Sequence, residues 1–138
     1  LSGGLRLRLT RPLRLAVLCA ADLSALSVTL MKHLCSSTHL SEGQSRGFVL
    51  DDLRLLAVRK AGQVYLYENR CPHLGVPLEW LPDQFLDHSG SMLQCSTHAA
   101  LFLIDNGECV AGPCAGQSLR ALPCVENEQG LWLLEPTD

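Results

Sequence analysis

The sequence predicts an all-β fold, a small antiparallel β-sandwich or barrel, and three observations lead to this prediction. After Met31 the hydrophobic residues form short runs rich in Val, Leu, Tyr and Phe, which favour strands. Gly, Pro, Asn and Asp interrupt these runs at intervals typical of turns. No segment after Met31 has a long helical period with capping residues. Many short strands joined by turns are typical of sandwiches and small barrels.

Composition limits the classes of protein to which the chain can belong. A chain of 138 residues, 47% hydrophobic and 18% charged, indicates one globular domain rather than a disordered segment. The chain has 11 basic and 14 acidic residues. Residues 1–30 contain four of the basic and one of the acidic residues, so residues 31–138 contain 7 basic and 13 acidic residues. This acidic balance argues against nucleic acid as a partner and suits a basic partner protein.

The first thirty residues differ from the rest of the chain. Four Arg precede a short apolar run over residues 15–21, a pattern similar to a targeting segment. The apolar run is too short to span a bilayer, so we expect no stable membrane insertion. We expect residues 1–30 to be an N-terminal extension outside the folded domain, and residues 31–138 to be that domain. A targeting segment and a misassigned start remain alternative explanations of the extension.

The first half of the domain contains three candidate strands and one long loop. Alternating and β-branched residues predict strands over 46–50, 53–59 and 63–67, and Ala61-Gly62 can form the turn between the last two. The segment 68–78, "ENRCPHLGVPL", is rich in Asn, Pro and Gly, so we expect a loop there.

The second half continues with short strands. Residues 79–88 can hold one turn of helix, and "DNG" at 105–107 is a good hairpin turn. A Gly/Pro loop is expected at 111–117 and a turn at 127–130. The predicted strands are 92–95, 101–104, 108–110, 119–126 and 131–135.

Two Cys/His pairs stand in or beside these loops. Cys71 and His73 flank a proline, and Cys95 ends a predicted strand with His98 three residues further on. Metal sites use this arrangement, because loops bring ligands together while strands fix their distances. Two thiolates and two imidazoles suit zinc or an iron–sulfur cluster.

The pattern Cys-x-His, 21 residues, Cys-x2-His resembles the ligand pattern of Rieske [2Fe–2S] ferredoxin-type domain proteins. "CPHLGVPL" looks like the first cluster loop of that family and "CSTHAALFLIDNGECVAGP" like the second. Gly112-Pro113 matches its proline loop. The resemblance implies one [2Fe–2S] cluster per chain, with Cys71 and Cys95 on one iron and His73 and His98 on the other. It also implies a Rieske-type (ISP-like) fold, in which the two loops form a cluster-binding subdomain.

The sequence departs from the family pattern at several positions. Ala99 stands where the family usually has Gly. Val76 and Thr97 stand where high-potential members have a disulfide, and Ala100 and Phe102 where those members have Ser and Tyr hydroxyls. Fewer hydrogen bonds to the cluster stabilise its reduced form less, so we expect a low-potential, ferredoxin-like centre.

Nine further His, Cys and Trp residues are not expected to be ligands, and the three His among them have no partner at ligand spacing. We expect surface or loop positions for the other His, small core or loop positions for four Cys, and packing roles for both Trp. Cys114 is of special interest because it directly follows the proline of the proline loop. These residues are His33, His39, His88, Cys35, Cys109, Cys114, Cys124, Trp80 and Trp132.

Together these features favour a one-electron carrier that serves a reductase or an oxygenase. Residues 99–138 contain no His, so we expect no mononuclear iron domain and no catalytic substrate site on this chain. We expect redox proteins as partners and the cytoplasm as the compartment. Two alternatives remain: the small Rieske-like subunit of a nitrite-reductase-type enzyme, and a structural zinc-binding β-domain.

Overall fold

The computed structural model of the chain describes residues 17–18 and 28–136, with side chains described for residues 31–134. These residues form short antiparallel strands and one 3₁₀ turn, Ser37–His39. The strands are β1 (Val17–Leu18), β2 (Val28–Cys35), β3 (Ser45–Leu50), β4 (Leu53–Lys60), β5 (Gln63–Glu68), β6 (Met92–Gln94), β7 (Leu101–Leu103), β8 (Cys109–Ala111), β9 (Cys124–Asn127) and β10 (Gly130–Pro136).

The strands form three antiparallel sheets. The first has the order β1-β9-β10-β2, the second β3-β4-β5 and the third β6-β7-β8. Tight turns connect β3 to β4, β4 to β5 and β9 to β10, because the intervening segments are only two residues long. The all-β prediction is confirmed.

The middle sheet buries side chains on both of its faces. Along β4, Leu55 and Ala57 pack into one core, while Leu56 and Val58 pack into another. This alternation follows from the two-residue period of a strand. It explains why four consecutive residues of β4 are buried, and it places the second sheet between the other two.

The described residues form two hydrophobic cores, on opposite faces of the second sheet. One, the distal core, lies between the first and second sheets and contains Cys35, Leu40, Leu55, Ala57, Val64, Leu66, Leu122, Cys124, Leu131 and Leu133. The other, the site core, lies between the second and third sheets and contains Leu56, Val58, Tyr67, Cys71, Leu78, Phe85, Leu93, Cys95, Ala100, Phe102, Ile104, Cys109, Cys114 and Leu119. Cys71 and Cys95 therefore belong to one of the two hydrophobic centres of the protein.

Most predicted strands are present, and the exceptions have local causes. Of the predicted strand 119–126, only residues 124–126 lie in a strand, β9. Pro123 has no amide hydrogen, and before it Ala121 forms an isolated bridge with Tyr67. The predicted helical turn at 79–88 is wrong: Pro82 and Asp83, with φ 64°, place bends there instead.

The residues outside the site occupy mostly the expected environments. The three histidines without ligand partners, at positions 33, 39 and 88, are exposed, and Cys35 and Cys124 are buried in the distal core. Trp132 is partly buried and donates its indole N–H to Asn127 at 3.0 Å. Trp80 does not pack as expected, since its exposure is 71%.

Strand β2 begins at Val28, before the predicted domain boundary at Met31. Most of the proposed extension, including its four arginines, lies outside the described residues, although Val17–Leu18 of the apolar run forms β1, which pairs with β9. The boundary therefore stays a prediction. Within the described part of the chain, no helix is long and apolar enough to cross a membrane.

Candidate metal centre

The first ligand loop is a tight turn held by its own backbone. It leaves β5 and carries Cys71 and His73. The amide of Cys71 donates to the carbonyl oxygen of Val76 at 2.8 Å, and the amide of Gly75 donates back to Cys71 at 2.7 Å. Gly75 has φ 73°, which glycine adopts without strain. This geometry turns the Cys71 side chain into the site core and leaves His73 exposed.

Asn69 fixes the base of this loop and was not singled out from the sequence. Its side-chain oxygen accepts the amide of Leu78 at 2.8 Å, and its side-chain nitrogen donates to Glu79 at 2.9 Å. Asn69 is only 5% exposed, so these bonds satisfy a polar group that would otherwise be costly to bury. An Asn two residues before a candidate ligand was the available signal.

The second ligand loop follows β6 and carries Cys95 and His98. The amide of Cys95 donates to the carbonyl oxygen of Ala100 at 2.9 Å, which closes the loop. Between them, Ala99 has φ 57°, in the left-handed region that favours glycine. Ala99, which stands where the family usually has Gly, therefore strains the backbone of the second ligand loop.

The two loops bring the four candidate ligands together as two unlike pairs. The Cys71 and Cys95 side chains are 1% and 0% exposed and lie in the same core. The His73 and His98 rings are exposed, with centroids 5.1 Å apart and planes inclined by 67°. Among the described residues, no group of three or more His, Cys, Asp and Glu side chains is arranged to hold a single metal ion.

Opposing effects act on the Cys95 sulfur. Burial, together with the neighbouring Cys71, raises the pKa of its thiol, and hydrogen bonds from the backbone of Thr97 and His98 offset this rise only in part. Those donors favour the thiolate, which is the form that binds metals. Two buried sulfurs and two exposed imidazoles on adjoining loops therefore fit a centre that takes sulfur ligands on one side and nitrogen ligands on the other.

The Gly112-Pro113 segment packs against the second ligand loop. Gly112 has φ 104°, and a Cβ at this position would lie 2.8 Å from the Cα of Ala100. Only glycine allows this approach to a residue two positions after His98. The following residue, Cys114, is fully buried in the site core.

Phe102 and Tyr67 fill the core beneath the loops. Phe102 is completely buried, and Ala100 is 1% exposed. Neither side chain has a hydroxyl group. Tyr67 is buried too, but its hydroxyl donates to the carbonyl oxygen of Ile104 at 2.5 Å. Burial raises the pKa of Tyr67 well above its ordinary value, which keeps the phenol protonated as that hydrogen bond requires.

The comparison with known families gives a direct match. The family model described as "Rieske [2Fe-2S] domain" matches residues 31–126, which include both ligand loops and the Gly112-Pro113 segment. No curated protein matches the sequence.

Solved structures with the same fold include two ferredoxins. The ferredoxin of carbazole 1,9a-dioxygenase from Nocardioides aromaticivorans IC177 has a TM-score of 0.63 and 24% identity, over 79% of this chain and 100% of that one. The Sphingomonas yanoikuyae B1 ferredoxin has a TM-score of 0.63 and 19% identity, over 78% of this chain and 100% of that one.

A larger protein contains the same fold as one part of its chain. The terminal oxygenase of carbazole 1,9a-dioxygenase from Novosphingobium sp. KA1 has a TM-score of 0.65 and 24% identity. The match covers 78% of this chain and 31% of the oxygenase chain. At these identities the three likenesses establish the fold.

Proposed function

Because the chain belongs to the Rieske [2Fe-2S] domain family, we propose that it is a low-potential one-electron carrier serving a reductase or an oxygenase. The observation that carries the proposal is the separation of two buried thiols, Cys71 and Cys95, from two exposed imidazoles 5.1 Å apart. When bound, a [2Fe–2S] cluster supplies a one-electron redox couple at this position.

We assign Cys71 and Cys95 to one iron and His73 and His98 to the other. The sulfurs lie within the site core, where apolar side chains such as Leu78 and Phe102 exclude water. The imidazoles lie at the protein surface, where a partner can approach them closely. The protein's residues thus hold the centre, keep one side of it dry and leave the histidine side open for electron exchange.

The exposed surface beside the histidines supports docking of a partner protein. Leu74 lies between His73 and Gly75 with 50% exposure, which gives this surface an apolar contact next to the imidazoles. The acidic balance of residues 31–138 would attract a basic partner over distances of about a Debye length. We propose a reductase as electron donor and a terminal oxygenase as electron acceptor. The support for an oxygenase is that a structurally similar ferredoxin is the ferredoxin of carbazole 1,9a-dioxygenase.

We place the protein in the cytoplasm. Outside the proposed ligand set, Cys35, Cys109 and Cys114 have free thiols, which suit a reducing compartment, whereas Cys124 is disulfide-bonded.

Ligand variants and an electron-transfer assay test the proposal together. Cys71→Ser and His98→Asn are expected to abolish the visible absorption of the cluster. The matched controls Cys35→Ser, in the distal core, and His88→Asn, on the surface, are expected to retain it. If the controls lose the absorption as readily as the ligand variants, the assignment is wrong.

The assay follows oxidation of the dithionite-reduced wild-type protein by cytochrome c, a basic one-electron acceptor. We expect rapid oxidation that slows as salt concentration rises, because salt screens the attraction between acidic and basic proteins. A reduced protein that does not pass its electron to cytochrome c would contradict the carrier function.

A further inference from the structure

Two cysteines outside the ligand set lie in direct contact beneath the Gly112-Pro113 segment. The Cys114 thiol donates to the sulfur of Cys109, with a distance of 2.9 Å between the two Sγ atoms. The Cys109 thiol in turn donates to the carbonyl oxygen of Ala111 at 3.2 Å. Both side chains are buried, with 2% and 0% exposure. The sulfurs therefore need to approach by less than an ångström to reach the disulfide bond length of about 2.05 Å.

The backbone between the two cysteines already closes on itself. The amide of Gly116 donates to the carbonyl oxygen of Cys109 at 3.2 Å, and the amide of Gln117 donates to that of Cys114 at 2.8 Å. The amide of Cys109 donates to Gln117 at 2.8 Å. A bond between the sulfurs would therefore link groups that the fold already holds together.

The segment that the pair spans is exposed on its outer side. Residues 110–113 and 115–118 are exposed, whereas the two thiols face inwards. Surface loops of this kind open locally at a smaller free-energy cost than strands in a core. Such openings give a small molecule access to the sulfurs without unfolding the site core.

We propose that Cys109 and Cys114 are a reversible oxidation site, whose disulfide restrains the Gly112-Pro113 segment that packs against the second ligand loop. The close approach of Gly112 to Ala100 is the contact that the disulfide would hold. The disulfide would make opening of this segment rarer, and we expect release of the cysteine-bound iron to depend on that opening, because Cys71 and Cys95 lie in the same core as the two thiols. The link to iron release rests on the proposed function, whereas formation of the disulfide does not.

The oxidant that we propose is a peroxide. One sulfur attacks a peroxide oxygen, the O–O bond breaks, and a sulfenic acid and one water are formed. The second sulfur then attacks the sulfenic sulfur, the S–O bond breaks, an S–S bond forms and a second water leaves. In total, two thiols lose two protons and two electrons, and hydrogen peroxide is reduced to two waters. A dithiol reductant reverses the change.

Mass spectrometry tests the disulfide directly. The full-length protein with its cluster is treated with hydrogen peroxide, denatured, alkylated with iodoacetamide and cleaved after Glu108 and Arg120. The peptide 109–120, "CVAGPCAGQSLR", contains both cysteines and none of the candidate ligands. We expect it to lack both alkyl groups and to be lighter by two hydrogens, and to regain both thiols after dithiothreitol. The peptide containing Cys35, a free buried thiol in the distal core, should be fully alkylated throughout.

Iron release to a chelator tests the effect of the disulfide. The visible spectrum is recorded first, so a protein without a cluster is recognised before this step, and the peptide result remains valid for it. We expect release to become slower by about tenfold after oxidation, because a disulfide restricts loop opening. Cys114→Ser should show the same release rate with and without peroxide, and Cys109→Ala provides a second variant if the first does not fold.

Several outcomes would overturn the proposal. These are full alkylation of peptide 109–120 after peroxide, disulfides that join Cys109 or Cys114 to other cysteines, and an iron-release rate that oxidation leaves unchanged. Bleaching of the cluster before the two thiols are lost would also contradict it.

Discussion

The backbone amide of Ser96 donates a hydrogen bond to the carbonyl oxygen of Leu78 at 2.7 Å. Ser96 follows Cys95 in the second ligand loop, and Leu78 ends the first, so this bond ties the two loops to each other. Leu78 also donates its amide to Asn69, at the end of β5. The positions of all four candidate ligands thus depend on a short backbone connection that starts at the middle sheet. Such support is what a metal centre needs to keep its ligand distances fixed.

Ala99→Gly should stabilise the second ligand loop. Ala99 is exposed and has φ 57°, a conformation that costs a residue with a Cβ about 1 kcal/mol. We expect the melting temperature to rise by about 3 °C and the cluster to be lost more slowly to a chelator. Ala61→Gly is the matched control, because Ala61 has φ 54° in the β4–β5 turn. It should raise the melting temperature without changing cluster loss, and a destabilised Ala99→Gly protein would contradict the prediction.

The midpoint potential should lie between about −150 and 0 mV, at the lower end of the Rieske range. Ala100 and Phe102 offer no hydroxyl groups, so the reduced state gains no hydrogen bonds from these positions. Ala100→Ser and Phe102→Tyr should each raise the potential, measured by a redox titration followed by EPR. Phe48→Tyr, beside the distal core, should leave it unchanged. A wild-type midpoint potential above zero would contradict this prediction and would mean that hydrogen-bond donors at other positions set the potential.

The ion pair between Arg59 and Glu126 should make stability depend on pH. The two are joined by bonds of 3.1 and 2.6 Å and are about 15% exposed, and they connect β4 of the second sheet to β9 of the first. Burial alone would raise the pKa of Glu126, but hydrogen bonds from Arg59 and Ser37 outweigh it and hold the pKa below its ordinary value. A lowered folded-state pKa contributes stability above the unfolded value of 4.5, and this contribution is lost as pH falls through the folded value.

Glu126→Gln tests this ion pair by urea unfolding. We expect it to cost about 2–4 kcal/mol at pH 7, because Arg59 is left partly buried without its partner. It should also flatten the pH dependence of stability below pH 4.5. Asp51→Asn is the control, because the Lys32–Asp51 pair is exposed and should contribute about 0–1 kcal/mol. Equal losses in the two variants would contradict the prediction.

Residues 31–138 should bind the cluster without the preceding residues. Both ligand loops belong to the site core, between the second and third sheets, whereas β1 and β2 belong to the first sheet. The shortened chain should contain the same iron and sulfide as the full chain. It should melt at a lower temperature, because Leu30 and Val28 lose their pairing with Glu135 and Pro136. A shortened chain that is colourless or insoluble would show that the domain begins earlier.

Local patterns in the sequence predicted most of the strands, and they also indicated the candidate ligands. The turns at Ala61-Gly62 and 105–107 depend on residues adjacent in sequence, so hairpins could be predicted from them. The candidate ligands were recognisable because each Cys/His pair lies within a few residues of one loop. The structure places the two imidazoles 5.1 Å apart, and the role of the four residues as ligands stays a prediction.

Contacts between distant segments could not be predicted in this way. The bond from Ser96 to Leu78 and the packing of Gly112 on Ala100 depend on how the sheets stack. The pairing of Cys109 with Cys114 depends on the exact path of a Gly/Pro loop, which the sequence predicts only as irregular. Trp80 was expected to have a packing role, but its side chain lies at the surface.

The most direct test of the electron-carrier function is EPR of the anaerobically purified protein after dithionite reduction, with an iron and sulfide count. We expect two irons and two sulfides per chain and a rhombic signal with a low average g value, as mixed Cys and His ligands give. In Cys95→Ser this signal should be absent, whereas in Cys35→Ser it should be unchanged. A colourless protein that contains one zinc and gives no EPR signal would contradict the function proposed for this chain.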